Sequence, residues 1–370
     1  MLDKNKVYVS QIGVLLLLIM SGTKILIFPA LIAKQVGHDS WLVMVLSFVY
    51  DLVCLTFVLW AVKLNKQNLS FTDILHKTIG VVGSKVVLVI FFVLFVSRLI
   101  SLLHSCYRMF AVTFDVNTNW VVFIIPLSLV SYFAAQRGFN SIARVGQLLV
   151  VIIVFSVLAL VAFPLFQVNF SELLPIGEAG IDKIMEQSVT HSFWFSDYIF
   201  IYFVMDTIKV KKKIFSPVLC CFLLGAAISV VTNMVFVLLY GSLSPEAELA
   251  MIKIGLFSVS ETTSGRWDWL TLSVWIISVV LKVVIFFFCA NKCIEKLFGL
   301  HLSNTNGFVW LGITATLIVP LFVSVEEVLP TFIKWTIIPF ALVQYLLPLL
   351  MPWWTKISNE LSLSKKGAGI

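Results

Sequence analysis

Five charged side chains fall inside long apolar stretches of the sequence, each in a different stretch. They are three cations and two carboxylates, namely Lys24, Asp51, Arg98, Asp197 and Lys282. A charge at the centre of a bilayer costs roughly 2.5–3.5 kcal/mol on insertion scales, so residues of this kind face the protein interior and pair with one another. Such a cluster can hold a charged ligand, relay protons, or only fix the register of the helices.

The distribution of these charges suggests specific pairs. We expect Asp197 to pair with Lys24 where two helices cross, and Asp51 to pair with Arg98 as a scaffold. Lys282 would then be left over. A buried lysine tends to lose its proton because desolvation disfavours its charged form, which makes Lys282 a candidate for proton or conformational coupling. In the alternative interpretation, all five side chains form structural pairs.

The apolar stretch that carries Lys24 is interrupted. Ser21, Gly22 and Thr23 precede the lysine, and Pro29 follows about one turn later. A glycine inside a helix costs about 1 kcal/mol and a proline about 3 kcal/mol. A lipid-facing anchor gains nothing from these features, whereas they are typical of a broken helix whose free backbone groups line a cavity. The simpler alternative is a kinked structural helix whose lysine is paired inside the bundle.

A later apolar stretch repeats this feature. Residues 191–197 place polar and aromatic side chains where an anchor would be aliphatic, among them Phe193, Trp194, Ser196 and Asp197. The aromatic rings offer stacking or apolar surface to a ligand, although such rings in membrane helices more often pack or contact lipid. We therefore expect a second broken helix.

The composition fixes the class of protein. The chain has 370 residues, of which 60% are hydrophobic and 12% charged, and a mean hydropathy of +1.04. These values exclude a soluble domain. About ten stretches are long enough to cross a hydrocarbon core of roughly 30 Å: 9–33, 41–62, 86–107, 119–135, 143–165, 186–206, 214–240, 268–290, 307–325 and 332–351. The sequence therefore predicts an all-α polytopic membrane protein embedded in a lipid bilayer.

The net charge of +7 reports membrane topology. Lysine and arginine crowd alternate loops, including Lys4 and Lys6, 209–213, and Lys365 and Lys366, while the intervening loops are acidic, as at Glu326 and Glu327. This is the positive-inside pattern, and it places both termini in the cytoplasm. Since the pattern accounts for the basic balance, we expect no nucleic-acid partner.

The two interrupted stretches are the first and the sixth of ten, so two five-helix halves would have inverted topology. Inverted repeats with interrupted helices at matching positions point to a binding site near the bilayer midplane. The N-termini of half-helices attract an anionic group such as a carboxylate. We expect one transporter-like domain over 1–370, with repeats at about 9–165 and 186–354. The long outer loop, 241–267, would be a lid or a docking surface.

The sequence gives little indication of metal binding or of catalysis. Cys289 and Cys293 lie one helical turn apart, but two thiols without further ligands make a poor metal site. The sequence has no His-Glu-x-x-His, Gly-x-Gly-Asp or Gly-x-Ser-x-Gly motif of a hydrolase. We therefore expect no enzyme activity, no metal and no cofactor.

Three features together carry a family resemblance. They are the segment Gly-Thr-Lys-Ile-Leu-Ile-Phe-Pro at 22–29, the ten-span length, and the run 254–269, in which an apolar helix leads into Arg266, Trp267 and Asp268. In these the chain resembles the spore germination permeases, the B subunits of bacterial spore germinant receptors, within the amino acid–polyamine–organocation transporter superfamily. One departure is Lys24 beside the single Gly22. The resemblance then implies that this ammonium occupies part of the site where other superfamily members hold sodium or the amine of the substrate.

The resemblance implies a receptor subunit in the inner membrane of the spore, assembled with an A-type membrane subunit and a C-type lipoprotein. It implies that a small nutrient germinant, commonly an amino acid, binds between spans one and six and triggers germination. The ligand-binding residues would be Ser21, Gly22, Thr23, Lys24, Phe193, Trp194, Ser196 and Asp197. The alternative is a proton-coupled amino-acid transporter that uses the same site, with Asp197, Lys24 or Lys282 as the titrating group.

Overall fold

The computed structural model describes residues 6–21, 23–114, 121–209, 211–257, 267–299 and 325–367. Within these ranges the chain is almost entirely helical. Two dipeptide strands, β1 (Val7–Tyr8) and β2 (Ile208–Lys209), pair in parallel. The described helices are α1 (Val9–Ser21), α2 (Phe28–Val36), α3 (Ser40–Leu64), α4 (Phe71–Phe114), α5 (Val121–Gln136), α6 (Phe139–Ala162), α7 (Ile181–Thr190), α8 (Phe215–Tyr240), α9 (Ala250–Leu256), α10 (Trp267–Phe298), α11 (Val325–Ala341) and α12 (Leu347–Gly367).

The described ranges contain six helical stretches long and apolar enough to cross a membrane: Phe28–Leu64, Phe71–Ala111, Phe139–Phe166, Phe215–Leu243, Trp275–Phe298 and Thr331–Ser362. The other predicted spans are not among these six stretches, for identifiable reasons. The first and sixth are divided into shorter pieces, and the fourth gives the shorter apolar helix Ile125–Ala134. Residues 307–324 of the predicted ninth span lie outside the described residues. The all-helical membrane fold predicted from the sequence is confirmed.

Helix α1 occupies the centre of the bundle, where it packs against α6, α8 and α10. Eleven of its thirteen residues are buried. Its contact with α8 is close at Gly13, because a β-carbon there would lie 2.9 Å from the carbonyl oxygen of Pro217. Helices in membranes approach closely where small residues face one another. This packing holds the end of α1 deep inside the protein.

The first span breaks where α1 ends. The Ser21 hydroxyl donates back to the carbonyls of Leu17 and Leu18, at 3.2 and 3.1 Å, within its own helix. A short 3-10 turn follows at Thr23–Ile25, and α2 begins at Phe28 with Pro29 in its first turn. Proline is favoured at this position because its missing N–H would have no intrahelical acceptor there. The predicted break is therefore present, and it presents Lys24 between two half-helices.

The sixth span breaks after α7. A 3-10 turn spans Ser192–Trp194, Phe195 is extended, and a second 3-10 segment begins at Asp197. Ser196 between them has left-handed backbone angles, φ 62° and ψ 37°. A non-glycine residue in this region costs roughly 1–2 kcal/mol, so the surrounding contacts must hold it there.

Candidate functional site

Lys24 and Asp197 meet where the two breaks cross. The lysine Nζ lies 2.7 Å from the aspartate Oδ2, and both residues are buried, at 0% and 2% exposure. Each sits in a 3-10 segment beside a chain break, so its side chain projects from a point where the backbone changes direction. The predicted pairing of these two residues is confirmed, whereas their role in ligand binding stays a prediction.

Two further cations approach the same carboxylate. Lys282, on α10, has its Nζ 3.1 Å from Oδ1 and 3.2 Å from Oδ2 of Asp197, and only the contact with Oδ2 has hydrogen-bond geometry. Arg98, on α4, has its Nη1 3.7 Å from Oδ1, an ionic contact beyond hydrogen-bond distance. The expectation that Lys282 would be left over is wrong. Its helix packs against both α1 and α4, which brings Lys282 to the crossing.

Asp51 and Arg98 do not pair with each other within 4 Å, so this prediction is also wrong. The Asp51 carboxylate, on α3, instead accepts hydrogen bonds from the backbone N–H of Ser196 at 2.8 Å and from its hydroxyl at 3.0 Å. Arg98 donates from Nη2 to the carbonyl of Phe195. The physical reason is the broken backbone itself, whose unpaired donors and acceptors compete for both charged groups. The two bonds to Asp51 also hold Ser196 in its left-handed conformation.

Aromatic rings surround the cations of this cluster. The Lys24 Nζ lies 5.3 and 5.0 Å from the ring centroids of Phe48 and Phe195. The Arg98 guanidinium lies 5.7 Å from the rings of Phe193 and of a phenylalanine on α10. Cation–π contacts of this kind contribute about 0.5–2 kcal/mol each, more where water is excluded. The rings therefore replace part of the hydration that the buried cations lose.

Two cavities adjoin the crossing. The larger has a volume of about 520 Å³ and lies between α2, the sixth-span break and α11. This volume is within the usual range of small-molecule pockets. The smaller, of about 10 Å³, is lined by Arg98, Asp197 and Lys282. Phe193 and Trp194 line both cavities, so the two cavities adjoin at these residues.

Four charged residues line the larger cavity, and two of them, Lys34 and Arg108, contact a third, Glu248. Glu248, between α8 and α9, accepts a hydrogen bond from Arg108 of α4 at 2.5 Å and lies 3.4 Å from the Nζ of Lys34 on α2. Desolvation raises the pKa of Glu248, but the two cations outweigh it and hold the pKa below its usual value. Because all three side chains are 38–49% exposed, each contact contributes only about 0.2–1 kcal/mol.

Several predicted site residues are not tested by this geometry. Gly22 and Arg266 lie outside the described residues, as do the side chains of Thr23, Trp267 and Asp268. The Ser21 hydroxyl is occupied by bonds within α1. Their proposed roles stay predictions.

The sequence reasoning missed a contact from the last span. The segment Leu342–Leu346 forms one π-helical turn between α11 and α12. Within it, Gln344 donates from Nε2 to the carbonyl of Ser192 at 3.4 Å, and its own carbonyl accepts from the Tyr198 hydroxyl at 2.5 Å. Gln344 is a single glutamine inside an otherwise apolar stretch, and this was the sequence feature that could have indicated the contact. The last span is thus tied to the broken sixth span.

The fold and the site define a polytopic helical membrane protein in which two broken helices cross at a buried charge cluster. The chain belongs to the spore germination protein family, whose family model matches residues 6–328. Spore germination protein XB of Bacillus anthracis is 26% identical over 193 residues, which cover 51% of this chain and 53% of that protein. The match thus spans about half the length of this relative.

Solved structures with the same fold include the manganese transporter of Eremococcus coleocola. A mutant of that transporter gives a TM-score of 0.57 at 13% identity, covering 97% of this chain and 87% of the transporter. The same transporter in complex with an aromatic bis-isothiourea substituted compound gives 0.55 at 14% identity, covering 98% and 87%. At this identity the likeness shows the fold alone.

Proposed function

We propose that this chain is the ligand-binding membrane subunit of a spore germinant receptor. A small nutrient germinant binds near the bilayer midplane between the first and sixth spans, and its binding triggers germination. An amino acid is the class that the family resemblance implies. The single observation that carries the proposal is the convergence of both chain breaks on one buried carboxylate, Asp197, together with cations from three different spans.

The contacts of the sixth-span break suggest how a bound ligand acts on the rest of the bundle. Ser196 is bonded to α3, the Phe195 carbonyl to α4, and the Ser192 carbonyl to the π turn of the last span. A ligand shifts a conformational equilibrium only by binding one state better than the other. A germinant that favours a different backbone conformation of residues 192–197 would therefore move three spans together.

The wider setting of the subunit is part of the same proposal. The receptor lies in the inner membrane of the spore and includes an A-type membrane subunit and a C-type lipoprotein. Both termini face the cytoplasm, in agreement with the basic residues of alternate loops. The five-plus-five repeats occupy about 9–165 and 186–354 of one domain, and the loop 241–267 covers the outer entrance.

Germination of spores carrying site variants tests the proposal. We expect Asp197→Asn and Lys24→Met to abolish or strongly weaken the response to nutrients, since each removes one partner of the central ion pair. Glu186→Gln, an exposed change on α7, is the control and should germinate normally. The abundance of each variant in spore membranes is measured alongside. Normal germination of both site variants at normal abundance would contradict the proposal.

A proton-coupled amino-acid transporter is the second candidate, favoured by the transporter fold of the structural relatives. In that case Asp197, Lys24 or Lys282 would titrate during transport. Vesicles that contain this chain alone, with an imposed pH gradient, distinguish the two functions. Accumulation of an amino acid that stops when the gradient is dissipated would favour transport, and binding without accumulation favours the receptor.

A further inference from the structure

The 520 Å³ cavity carries charges of both signs. Four of the residues that line it are charged, namely Lys34 of α2, Arg108 of α4, Glu248 and Lys334 of α11, and we call these four the rim. The Glu248 carboxylate lies between two of the cations, with Oε1 3.4 Å from the Nζ of Lys34 and Oε2 2.5 Å from the Nη2 of Arg108. Three of the rim side chains are 38–49% exposed, and Lys334 is also exposed. The rim thus offers partners of both signs to a ligand that enters the cavity.

The contact between Glu248 and Lys34 is one that a ligand can replace at small cost. Its length of 3.4 Å is at the long end of hydrogen bonding, and both side chains are 49% exposed. An exposed pair of this kind contributes little stability because water screens it. An ammonium placed at Oε1 of Glu248 releases Lys34 to a carboxylate. Both charges of a zwitterion then gain a partner, and neither protein charge loses one.

The backbone next to Glu248 is held in a strained conformation. Leu249, which also lines the cavity, has left-handed backbone angles, φ 59° and ψ 58°. A residue with a β-carbon adopts this conformation only where its surroundings hold it there. The Leu249 side chain is 5% exposed, and its carbonyl accepts from the N–H groups of Ile252 and Lys253 at 2.9 and 3.2 Å. The buried start of α9 therefore fixes the position of Glu248 at the cavity.

The remaining walls of the cavity suit an apolar side chain. Apart from the rim, the lining is mostly apolar and comes from α2, the sixth-span break and α11, including Leu31, Phe193, Trp194, Ile333 and Ile337. Small-molecule sites typically combine such walls with a few polar groups that fix the orientation of the ligand. Burying a side chain against these walls removes apolar surface from water, so an apolar side chain is favoured over a polar one of the same shape.

We propose that this cavity holds the germinant and that it selects an α-amino acid with an apolar side chain. The ammonium of the ligand binds Glu248, its carboxylate binds Lys34, and its side chain fills the apolar interior. This inference rests on the proposed function, because it names the chemical class of the germinant and the residues that recognise it.

The ion pair at the helix crossing supports the cavity from behind. Two of the cavity walls are α2 and the sixth-span break. Lys24 and Asp197, 2.7 Å apart, join the turns beside these two segments. Loss of the pair would displace both walls, so binding in the cavity depends on the crossing as well as on the rim.

Photolabelling of the full chain in nanodiscs tests the location without any mutation. The probe is photo-leucine, a leucine analogue whose side chain carries a diazirine, and mass spectrometry of peptides identifies the labelled segments. We expect label on residues 27–35 and 333–337, which line the cavity, and we expect an excess of L-leucine to remove it. Absence of label from both segments, or label there that L-leucine does not reduce, would overturn the proposal.

Competition against the label at these two segments tests the ligand class. The compound 4-methylpentanoate lacks the ammonium of leucine, 3-methylbutylamine lacks its carboxylate, and L-asparagine has an amide in place of the isopropyl group. We expect each to compete roughly tenfold less well than L-leucine, because the first two lose a charged contact and the third loses apolar burial. Equal competition by any of the three would contradict the proposed class.

A variant of Glu248 tests the ammonium contact. Glu248→Gln should weaken competition by L-leucine roughly tenfold, the lower end for hydrogen bonds to charged groups because the rim is exposed. It should also remove the advantage of L-leucine over 4-methylpentanoate. Glu246→Gln, an exposed change two residues away that does not line the cavity, is the control and should behave like the unmodified chain. An unchanged ratio of L-leucine to 4-methylpentanoate in Glu248→Gln would contradict the assignment.

The two proposals can fail separately. Loss of germination in Asp197→Asn spores, without L-leucine-sensitive label at the cavity, would keep the receptor function and reject the cavity as the amino-acid site. Label at the cavity that depends on Glu248, together with normal germination of Asp197→Asn and Lys24→Met spores, would keep the amino-acid site and reject its role in germination.

Discussion

Replacing Asp197 by asparagine removes the carboxylate that three buried cations share. The change is nearly isosteric, so packing is kept and the loss is electrostatic. In the native site Lys24, Lys282 and Arg98 lie 2.7, 3.1 and 3.7 Å from its two oxygens. Removing one partner of a buried ion pair costs about 3–5 kcal/mol, because the remaining charge is left uncompensated. We expect Asp197→Asn to destabilise the protein by at least this amount.

A double-mutant cycle separates this charge effect from a general loss of structure. Once Asp197→Asn has been made, Lys282→Met removes a cation that has already lost its contact with the Asp197 carboxylate. The double variant should therefore be less destabilised than the sum of the two single variants, by about 1–3 kcal/mol for residues in direct contact. Thermal unfolding in nanodiscs, followed by tryptophan fluorescence, provides the measurement.

An exposed carboxylate gives the matched control. Glu178 lies 3.5 Å from His38, and its side chain is 64% exposed. Glu178→Gln should cost less than about 1 kcal/mol, because the contacts of an exposed carboxylate are screened by water. Additive effects of Asp197→Asn and Lys282→Met, or a loss no greater than that of Glu178→Gln, would refute the reasoning.

Three further predictions follow from individual contacts. The pKa of Glu248 is lowered, so its contacts with Arg108 and Lys34 stabilise the protein above the ordinary glutamate pKa, and this stability is lost as the pH falls through the lowered pKa. Glu248→Gln should therefore flatten the dependence of thermal stability on pH below about pH 4.5, by no more than about 1 kcal/mol. An unchanged pH dependence would contradict this. Ser196→Gly should be tolerated better than Ser196→Ala in the same unfolding assay, since glycine relieves the left-handed backbone while both lose the hydroxyl bond; the reverse order would be inconsistent with strain. Gly13→Val should destabilise the protein by about 1–3 kcal/mol through overpacking against α8, whereas an unchanged melting temperature would show that α1 can shift.

The sequence was sufficient for the membrane fold and for both helix breaks. Long apolar stretches predict helices, because a single segment in lipid can form hydrogen bonds with all of its own backbone N–H and C=O groups only as a helix. Ser21, Gly22 and Pro29 are poor helix formers clustered at one place, so the first break is a local property. The pairing of Lys24 with Asp197 followed from the expectation that the two breaks cross.

The remaining contacts of the site depend on tertiary structure. The partner of Asp51 is a backbone N–H that becomes available only because Ser196 adopts left-handed angles, which the residue type does not favour. Lys282 reaches Asp197 through the packing of α10 against α1 and α4. The contacts of the rim residue Glu248 could not be predicted from the sequence, because the sequence does not indicate which cations an exposed acid in a loop will meet.

The most direct test of the central claim is a thermal-shift screen of the purified chain in nanodiscs against amino acids, nucleosides, sugars and small carboxylates. A ligand at one hundred times its dissociation constant adds about 2.7 kcal/mol of apparent stability. We expect a shift with at least one nutrient that disappears in both Asp197→Asn and Lys24→Met and persists in Glu186→Gln. A shift that survives in both site variants would place the germinant elsewhere and contradict the account.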